Sequence, residues 1–435
     1  MVRTAEPETA EIIALTHDGR GIARTDGKTV FVTGALPGEA VEFKRRRRRR
    51  DHDEAQLLSI HNSSPHRVEP QCRHADVCGG CSLQHIRHTE QVSFKQQTLL
   101  DNLKRIGGVQ PEELLAPLVG SPWHYRRRAR LGVKWVKKKG RVLVGFREKS
   151  APYIADIDSC EVLESKVAVL LKPLAELIQS LSIMDRLPQI EVAVADNITA
   201  LVLRVLDPPT EDDLRKLNDF AALSKVEFYL QSGGIETISP LSVATPLSYK
   251  LPDHDIEIFF EPSDFIQINA DMNNRMLNHA LELLKIKNTE NVLDLFCGLG
   301  NFTLPIAKHA ARVDAVEGDA ALVKRARHNA KVNNIENIAF HLANLFESVG
   351  DFPWSRSSYD AILLDPPRAG AKEIVVGINQ FNAQRILYVS CHPGTLARDA
   401  GTLVKEHGYE LKAAGIMDMF PHTAHVESIA LFARS

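Results

Sequence analysis

The chain has 435 residues, of which 44% are hydrophobic, and a formal net charge of −2. This length predicts about three domains, and this composition is ordinary for a globular protein with a sizeable core. No apolar run reaches the roughly 18 residues that a membrane helix needs, and the polar residues 1–11 contain no signal-peptide core. These features argue against an integral membrane protein and predict a soluble, cytoplasmic protein with no membrane partner.

The small net charge hides a strong segregation of charge along the chain. Residues 41–50 and 121–150 together carry 18 of the 53 lysines and arginines but only 2 of the 55 acidic residues. Four aromatic residues lie in or beside the second basic segment: Trp123, Tyr125, Trp135 and Phe146. Basic residues interleaved with aromatic ones favour a surface that binds nucleic acid. Two solvated charge runs are the alternative interpretation.

The first predicted domain, residues 1–62, reads as short strands separated by turns. Asp18-Gly19 and Asp26-Gly27 are hairpin-type dipeptides between apolar strand patterns. This pattern predicts a small β-barrel of the size that binds oligonucleotides, with the arginine run 45–50 between two of its strands. Residues 61–70 have the composition of a linker.

The second predicted domain, residues 63–262, has a mixed α+β pattern. A helix is expected over about 87–106, a β-rich stretch over 121–150, and alternating strands and helices over 151–250. This segment also carries most of the cysteines of the chain, which makes it the candidate for a metal site.

Four of the six cysteines fall in this second domain: Cys72, Cys78, Cys81 and Cys160. Disulfides are uncommon in a cytosolic protein, so a metal site is the default interpretation of such a group. Four thiolates suit either tetrahedral zinc or an iron–sulfur cluster. Zinc sites usually come as two C-x2-C pairs, which is not the spacing here, so the pattern favours the cluster. His74 and His85 are interpreted as surface or supporting residues rather than ligands.

The third predicted domain, residues 263–435, alternates strands and helices regularly. A helix over 272–284 precedes apolar strands at 291–296, 312–316, 338–340, 361–364 and 386–389. Continuous apolar strands separated by helices indicate a parallel sheet that is covered on both faces. The fold predicted for this domain is therefore Rossmann-like.

The first strand of this domain runs into a glycine turn that contains Gly298 and Gly300. Glycines at the carboxyl end of such a strand let backbone approach a ligand. The turn lacks the dinucleotide pattern G-x-G-x-x-G, because position 303 is Thr303. Glu317, which ends the next strand, could bind both hydroxyls of a ribose. This arrangement resembles the AdoMet-binding core of Rossmann-like methyltransferases.

Two further strand ends fit that resemblance. Asn344 follows the third strand, where an adenine contact is expected. Asp365 follows the fourth strand and precedes Pro366-Pro367, where these enzymes carry an acid or amide before two prolines.

Cys391 lies at the carboxyl end of the fifth strand, and Glu427 heads the last strand of the chain. Either could be structural, since most cysteines are buried and inert, and an acid can cap a strand edge. A methyl donor bound at this edge would need a nucleophilic acceptor. Uracil C5 is one possible acceptor, but it is a poor nucleophile that needs activation. A thiolate that adds to C6 makes C5 nucleophilic, and a base must later remove the C5 proton.

Three motifs show a close resemblance to the RNA uracil-C5 methyltransferase family. They are Ser-Cys-x-Pro-x-Thr-Leu-Ala-Arg-Asp from residue 390, Asp-Met-Phe-Pro-His-Thr from residue 418, and His-x-Glu-Ser from residue 425. The resemblance implies that Cys391 is the nucleophile and Glu427 the base. It also implies a set of AdoMet-contacting residues: Gln267, Phe296, Asn301, Glu317, Asn344 and Asp365. His392 departs from the family pattern, in which Asn is common, so the hydrogen bonding around Cys391 is in question.

The resemblance extends over nearly the whole chain. Cys-Gly-Gly-Cys-x-Leu-Gln-His from residue 78 is similar to the family's pattern for a [4Fe–4S] cluster, with Cys160 as the distant ligand. The glycine-rich turns of residues 1–62 resemble a TRAM domain, an RNA-binding β-barrel. Barrel, cluster and catalytic domain together imply a member that acts on 23S ribosomal RNA, as a monomer.

Three alternatives remain open from the sequence. The same chemistry on a tRNA uridine is the nearest one. An inactive iron–sulfur RNA-binding protein would require Cys391 or Glu427 to be dispensable. A DNA cytosine-C5 methyltransferase would carry its cysteine after the fourth strand, where this chain has Asp365.

Overall fold

The structure is a computed structural model that describes residues 6–347, 350 and 352–434. Residues 1–5 of the first predicted domain therefore lie outside the described residues. None of the helices in the described ranges is both long and apolar enough to cross a membrane.

The N-terminal strands form one six-stranded sheet with a hydrophobic core of its own. The strands are β1 (Glu8–Glu11), β2 (Ala14–Leu15), β3 (Gly21–Thr25), β4 (Lys28–Thr33), β5 (Ala40–Arg48) and β6 (His52–Asn62). Their order is β1-β5-β6-β4-β3-β2. Val30, Val41 and Phe43 are fully buried because alternate residues of a strand face the same side.

The arginine run does not lie between two strands as predicted, because most of it continues strand β5. Arg45 is buried within the sheet, where its guanidinium pairs with Glu8 at 2.7 Å and with Asp53 at 2.5 Å. Arg46 and Arg47 are exposed. The run therefore divides into one structural arginine and a group of solvent-facing ones.

The central segment begins with a helix and a short strand and continues into a second six-stranded sheet with further helices between its strands. Its elements are α1 (His88–Asn102), β7 (Glu113–Leu114), β8 (Arg128–Val136), β9 (Arg141–Gly145), α2 (Ser165–Ala168), α3 (Leu171–Gln179), β10 (Gln189–Val194), β11 (Thr199–Arg204), α4 (Glu211–Ser224), β12 (Val226–Gln231), β13 (Ser239–Pro240), β14 (Leu247–Leu251) and β15 (Ile256–Phe260). The sheet order is β13-β12-β11-β10-β8-β9, and β14 and β15 form a separate hairpin. The predicted basic β-rich stretch thus forms the β8–β9 hairpin.

The prediction of an iron–sulfur cluster in this central domain is wrong. Among the described residues, no group of three or more His, Cys, Asp or Glu side chains could hold a metal ion. Cys72, Cys78, Cys81 and Cys160 do line one cavity, but its volume is ≈ 20 Å³, room for about one water molecule. Burial raises the pKa of the Cys81 thiol to about 12 and that of Cys160 to about 11.

The C-terminal segment forms the predicted parallel sheet with helices on both faces. Its elements are α5 (Ala270–Leu284), β16 (Asn291–Leu295), α6 (Thr303–Ala307), β17 (Arg312–Glu317), α7 (Ala320–Val332), β18 (Ile338–Leu342), β19 (Ala361–Leu364), α8 (Lys372–Val376), β20 (Arg385–Ser390), α9 (Pro393–His407), β21 (Glu410–Met417) and β22 (Glu427–Ala433). The order β18-β17-β16-β19-β20-β22-β21-β7 places β22 antiparallel to both β20 and β21.

Helix α1 and strand β7 connect the central segment to this sheet. Helix α1 packs against α9 and β21, and β7 pairs in parallel with β21 at the edge of the sheet. The division of the chain at residues 62 and 262 stays a prediction. The contacts of α1 show that residues before 262 help to build the C-terminal edge.

Candidate active site

The carboxyl ends of five neighbouring strands bring the predicted site residues to one edge of the sheet. Phe296 directly follows β16, Glu317 ends β17, Asp365 directly follows β19, and Cys391 directly follows β20. Asn344 lies two residues beyond β18. Open parallel sheets bind ligands at the carboxyl ends of their strands, in the crevice where the order of the strands along the sheet reverses.

The glycine turn after β16 has a backbone that few residues adopt. Phe296, Gly298 and Gly300 all have positive φ angles, of 67°, 55° and 93°. A positive φ is strained for a bulky side chain such as Phe296, and such strain is typical of functional sites. The amides of Phe296 and Cys297 both donate to the Val316 carbonyl, at 3.0 and 3.1 Å, which holds the turn against β17.

The Glu317 carboxylate organises the other side of this turn. One of its oxygens accepts the Gly298 amide at 3.0 Å, and the other accepts the amides of Gly318 at 2.7 Å and Asp319 at 3.1 Å. A carboxylate offers about four acceptor positions. Glu317 therefore fixes the glycine turn and keeps acceptor capacity for a ligand hydroxyl.

Asn301 is held by two residues that sequence reasoning did not single out. It exchanges two amide hydrogen bonds with Asn273, at 2.9 and 3.0 Å, and accepts one from the Tyr249 hydroxyl at 3.0 Å. Tyr249 lies on β14 and Asn273 on α5, so no local pattern around Asn301 could have revealed them.

Phe296, Asn344 and Gln267 are further members of the predicted cofactor set, and Phe346, which was not predicted, contacts two of them. The rings of Phe296 and Phe346 have centroids 5.7 Å apart. Asn344 accepts the Phe346 amide at 3.1 Å, which fixes the loop after β18. Gln267 is half-buried between the buried Ile266 and Ile268, just before α5.

The register of β20 and β22 brings Cys391 and Glu427 to the same edge of the sheet. Ser390 pairs with Ser428 in this antiparallel ladder. Cys391 and Glu427 each lie one residue beyond this pair, Cys391 just after the end of β20 and Glu427 at the start of β22. Two residues that are 36 positions apart in sequence therefore come to the same edge of the sheet, where the Glu427 carboxylate acts on the Cys391 thiol.

The surroundings of Cys391 and Glu427 disfavour the charged form of each side chain. Burial, then the carboxylates of Glu427 and Asp365, raise the pKa of Cys391 to about 11. Burial and Asp365 raise the pKa of Glu427 to about 8, and burial raises that of Asp365 to about 7. Arg368 opposes the shifts of Cys391 and Glu427, although sequence reasoning gave it no role. Its place directly after Asp365-Pro366-Pro367 was the available signal.

The structure shows what His392 does at the position where Asn is common in the family. It is the N-cap of α9, and its ring Nδ1 accepts the Thr395 amide at 3.2 Å. An asparagine oxygen would cap the helix in the same way. Burial lowers the pKa of His392, so a neutral ring with an unprotonated Nδ1 fits this position.

Comparison with known proteins shows which family the chain belongs to. The model of the tRNA (Uracil-5-)-methyltransferase family matches residues 88–435, and that of the TRAM domain matches residues 8–44. The chain belongs to the tRNA (uracil-5-)-methyltransferase family. The prediction of an AdoMet-dependent uracil-C5 methyltransferase with an N-terminal TRAM domain is thereby confirmed.

Relatives within this uracil-5-methyltransferase family extend over nearly the full chain. The "23S rRNA (uracil(1939)-C(5))-methyltransferase RlmD" of Alkalilimnicola ehrlichii is 51% identical and covers 99% of this chain and 97% of its own. The protein of the same name from Nitrosococcus oceani is 52% identical, with 98% and 96% covered. A solved structure of Pyrococcus abyssi tRNA (uracil-54, C5)-methyltransferase with S-adenosyl-L-homocysteine has a TM-score of 0.76 at 25% identity. It covers 98% of this chain and 100% of that chain.

Proposed function

We propose that this enzyme converts a uridine of 23S ribosomal RNA to 5-methyluridine, at the position that corresponds to 1939 in the relatives' names. The observation that supports this substrate is 51% identity to a 23S rRNA methyltransferase over 99% of the chain. The observation that supports the reaction is that the antiparallel pairing of β20 with β22 brings Cys391 and Glu427 to one edge, close enough for the carboxylate to act on the thiol.

Cys391 and Glu427 act as nucleophile and base in one covalent reaction cycle. The Cys391 thiolate forms a bond to uracil C6, which makes C5 nucleophilic. Bound AdoMet supplies the electrophilic methyl group that C5 takes. Glu427 then accepts the proton of C5, the bond from C6 to sulfur breaks, and the electron pair returns to sulfur as the thiolate. The raised pKa of Glu427, about 8, suits a group that must accept a proton near neutral pH.

The residues at the carboxyl edge fit AdoMet. Phe296 and Asn301 flank the glycine turn in sequence, and Asn344 and Asp365 follow strands β18 and β19 of the same sheet. A Cβ atom built on Gly298 would meet nothing within 4 Å, so this backbone is open to a ligand. We assign Glu317 to the ribose hydroxyls and Gln267 to the other side of the cofactor.

The substitution Glu317→Ala is expected to weaken AdoMet binding about 10- to 100-fold, because hydrogen bonds to a charged group contribute about 1.5–3 kcal/mol each. The reason is twofold: the ribose loses its acceptor, and the Gly298 amide loses the carboxylate that fixes the turn. Calorimetric titration with S-adenosylhomocysteine measures the effect. Glu336→Ala, an exposed acid before β18, is the matched control. Equal affinity in both variants would contradict the assignment.

The RNA surface that we infer lies between the TRAM sheet and the central sheet. A cleft of ≈ 1020 Å³ there is lined by basic residues from both sides: Arg20, Arg130, Lys134, Lys139, Arg147 and Lys149. A second cleft of ≈ 1390 Å³ adjoins it and is lined by Arg46, Arg47 and Arg67. Phe146, in the first cleft, stacks beneath the Arg126 guanidinium at 5.6 Å. Basic grooves with aromatic platforms suit single-stranded RNA, whose bases can stack.

We also place this activity in the cytoplasm, where ribosomal RNA is made, and in a monomer. The support for a monomer is that both members of the catalytic pair and the whole predicted cofactor set come from one chain. Light scattering of the purified protein tests this proposal, and a stable dimer would contradict it.

The substrate assay compares 23S ribosomal RNA with tRNA, because the solved relative acts on tRNA. Unmodified transcripts of both are incubated with AdoMet that carries a labelled methyl group, and nucleosides are separated after digestion. We expect label in the 23S transcript alone, as 5-methyluridine. Label in tRNA alone would keep the chemistry and overturn the substrate. Label in neither would contradict the proposed function.

A further inference from the structure

The loop that leads into Glu427 is held by residues from outside its own sheet. This segment, residues 418–426, joins β21 to β22 and is called the 418–426 loop here. Its carbonyls accept hydrogen bonds from the central segment: Phe420 from Lys95 at 2.8 Å, Pro421 from the Tyr125 hydroxyl at 3.0 Å, and His422 from the amides of Ser82 and Leu83 at 3.0 Å. The position of the base therefore depends on residues that precede this loop by some 300 positions.

A fully buried ion pair lies at the start of this loop. The Lys95 ammonium bonds Asp418 Oδ1 at 2.6 Å, and both side chains have 0% exposure. His88 bonds the other oxygen of Asp418 at 2.7 Å. Against the effect of burial, hydrogen bonds from His88 and Lys95 hold the pKa of Asp418 below its ordinary value. A buried pair contributes little net stability, because desolvation offsets the attraction, so its presence calls for another explanation.

Helix α1 presents these groups as one polar stripe. His88, Gln91 and Lys95 are spaced by three and four residues, which places them on the same helix face. Gln91 accepts the His422 amide at 2.9 Å. His422 itself has a left-handed backbone with φ of 64°, and Trp123 stacks on its ring at 3.9 Å. A strained residue of this kind persists only where its surroundings hold it.

We propose that Lys95 is a positioning residue for the reaction: it fixes the 418–426 loop and keeps a positive charge behind Glu427 while that base accepts the C5 proton. This inference rests on the proposed function and deepens it. It also gives the motif Asp-Met-Phe-Pro-His-Thr a physical role, because Asp418, Phe420 and His422 are the points where helix α1 holds the loop.

Four charged or titratable groups act on Glu427 or face it. Asp365 and Cys391 lie at the ends of β19 and β20, Arg368 lies in the loop after Asp365, and Lys95 projects from α1. The pKa of Glu427 is raised by burial and by Asp365, and it is lowered by Lys95 and Arg368. Arg368 is exposed, so solvent screens its charge, whereas the buried Lys95 acts through a medium of low dielectric. Lys95 is therefore the buried cation that favours the ionised form of Glu427, and its partner Asp418 offsets part of that charge.

The substitution Lys95→Met tests this role in single-turnover reactions with 23S transcript between pH 6 and 10. We expect the covalent enzyme–RNA adduct to decay about tenfold more slowly at pH 7.5, and its pH profile to move up by about one unit, because an opposite charge nearby shifts a pKa by about one unit or more. Adduct formation and AdoMet affinity are expected to stay unchanged. Lys95→Arg keeps the charge and is expected to restore the profile.

Two further variants keep the test decisive. Lys95→Met combined with Asp418→Asn leaves no unpaired buried charge, so it replaces the single variant if that one fails to fold. Adduct decay is again expected to slow and its pH profile to move up, by less than in Lys95→Met because the Asp418 charge is lost as well. Arg385→Met breaks the Arg385–Glu290 pair, 2.6 Å long, at the far end of β20 and controls for loss of an ion pair. Slower decay with an unmoved pH profile, or the same change in Arg385→Met, would overturn the inference. Absence of 5-methyluridine from the wild-type reaction would instead overturn the proposed function.

Discussion

Replacing Cys391 by alanine is expected to reduce 5-methyluridine formation by at least about 10⁴-fold, because removal of a covalent nucleophile has effects of this size in other enzymes. Without the sulfur, nothing adds to uracil C6 and C5 stays a poor nucleophile. The half-buried position of Cys391 after β20 argues for this role, since it lies at the same edge as the glycine turn and Asp365. The measurement is methyl incorporation into the 23S transcript, quantified as 5-methyluridine after digestion.

Two controls separate loss of the nucleophile from loss of structure. Cys391→Ser keeps the size of the side chain but replaces the thiol by a hydroxyl, which is a far weaker nucleophile, so it should be as inactive as Cys391→Ala. AdoMet and RNA affinities should remain those of the wild type in both. If either variant formed 5-methyluridine within tenfold of the wild-type rate, Cys391 would not be the nucleophile.

Glu427→Gln is expected to complete one methyl transfer and then stop. The amide cannot accept the C5 proton, so turnover should fall by about 10²–10⁴-fold, the usual contribution of a general base. The Glu427 carboxylate raises the pKa of Cys391, so its removal should make the thiol more acidic and leave the first addition intact. The enzyme should therefore accumulate bound to methylated RNA, visible as a slow band on a denaturing gel.

Glu406→Gln, an exposed acid on α9, is the matched control and should turn over normally. An adduct that formed equally in both variants would show that its release does not depend on Glu427. Normal turnover of Glu427→Gln would assign the base to another group, and Asp365, the other carboxyl with a raised pKa at this edge, would be the next candidate.

Much of the catalytic edge could be predicted from the sequence, because it follows from local patterns. The apolar runs that became β17 and β19 lead into the acidic residues Glu317 and Asp365, and parallel strands bring such ends together. The glycine turn was readable because Gly298 and Gly300 interrupt an otherwise apolar stretch. These features depend on residues that are close in sequence.

The pairing of Cys391 with Glu427 could not be derived in that way. It depends on β22 inserting antiparallel between β20 and β21, which is a property of the whole sheet. The polar stripe of helix α1 was equally hidden, since the sequence pattern predicts the helix but indicates no role for His88, Gln91 and Lys95. Gln91 and Lys95 are buried against the 418–426 loop, which is over 300 residues away in sequence.

The cysteine spacing, in contrast, led to the wrong prediction of a metal site. Cys72, Cys78, Cys81 and Cys160 do come close enough to line one cavity, which the spacing suggested. Proximity of thiols is not yet a metal site, because ligands must also be arranged around a common centre with room for it. In the described part of the chain these side chains do not form such a group.

The central claim, covalent catalysis across the β20–β22 ladder, is tested most directly by locating the bond in the trapped adduct. Glu427→Gln is incubated with AdoMet and a 23S fragment, digested with protease and nuclease, and analysed by mass spectrometry. The account predicts a peptide in which Cys391 carries a 5-methyluridine nucleotide. Methylated RNA with no modified peptide, or a nucleotide attached to another cysteine, would contradict it.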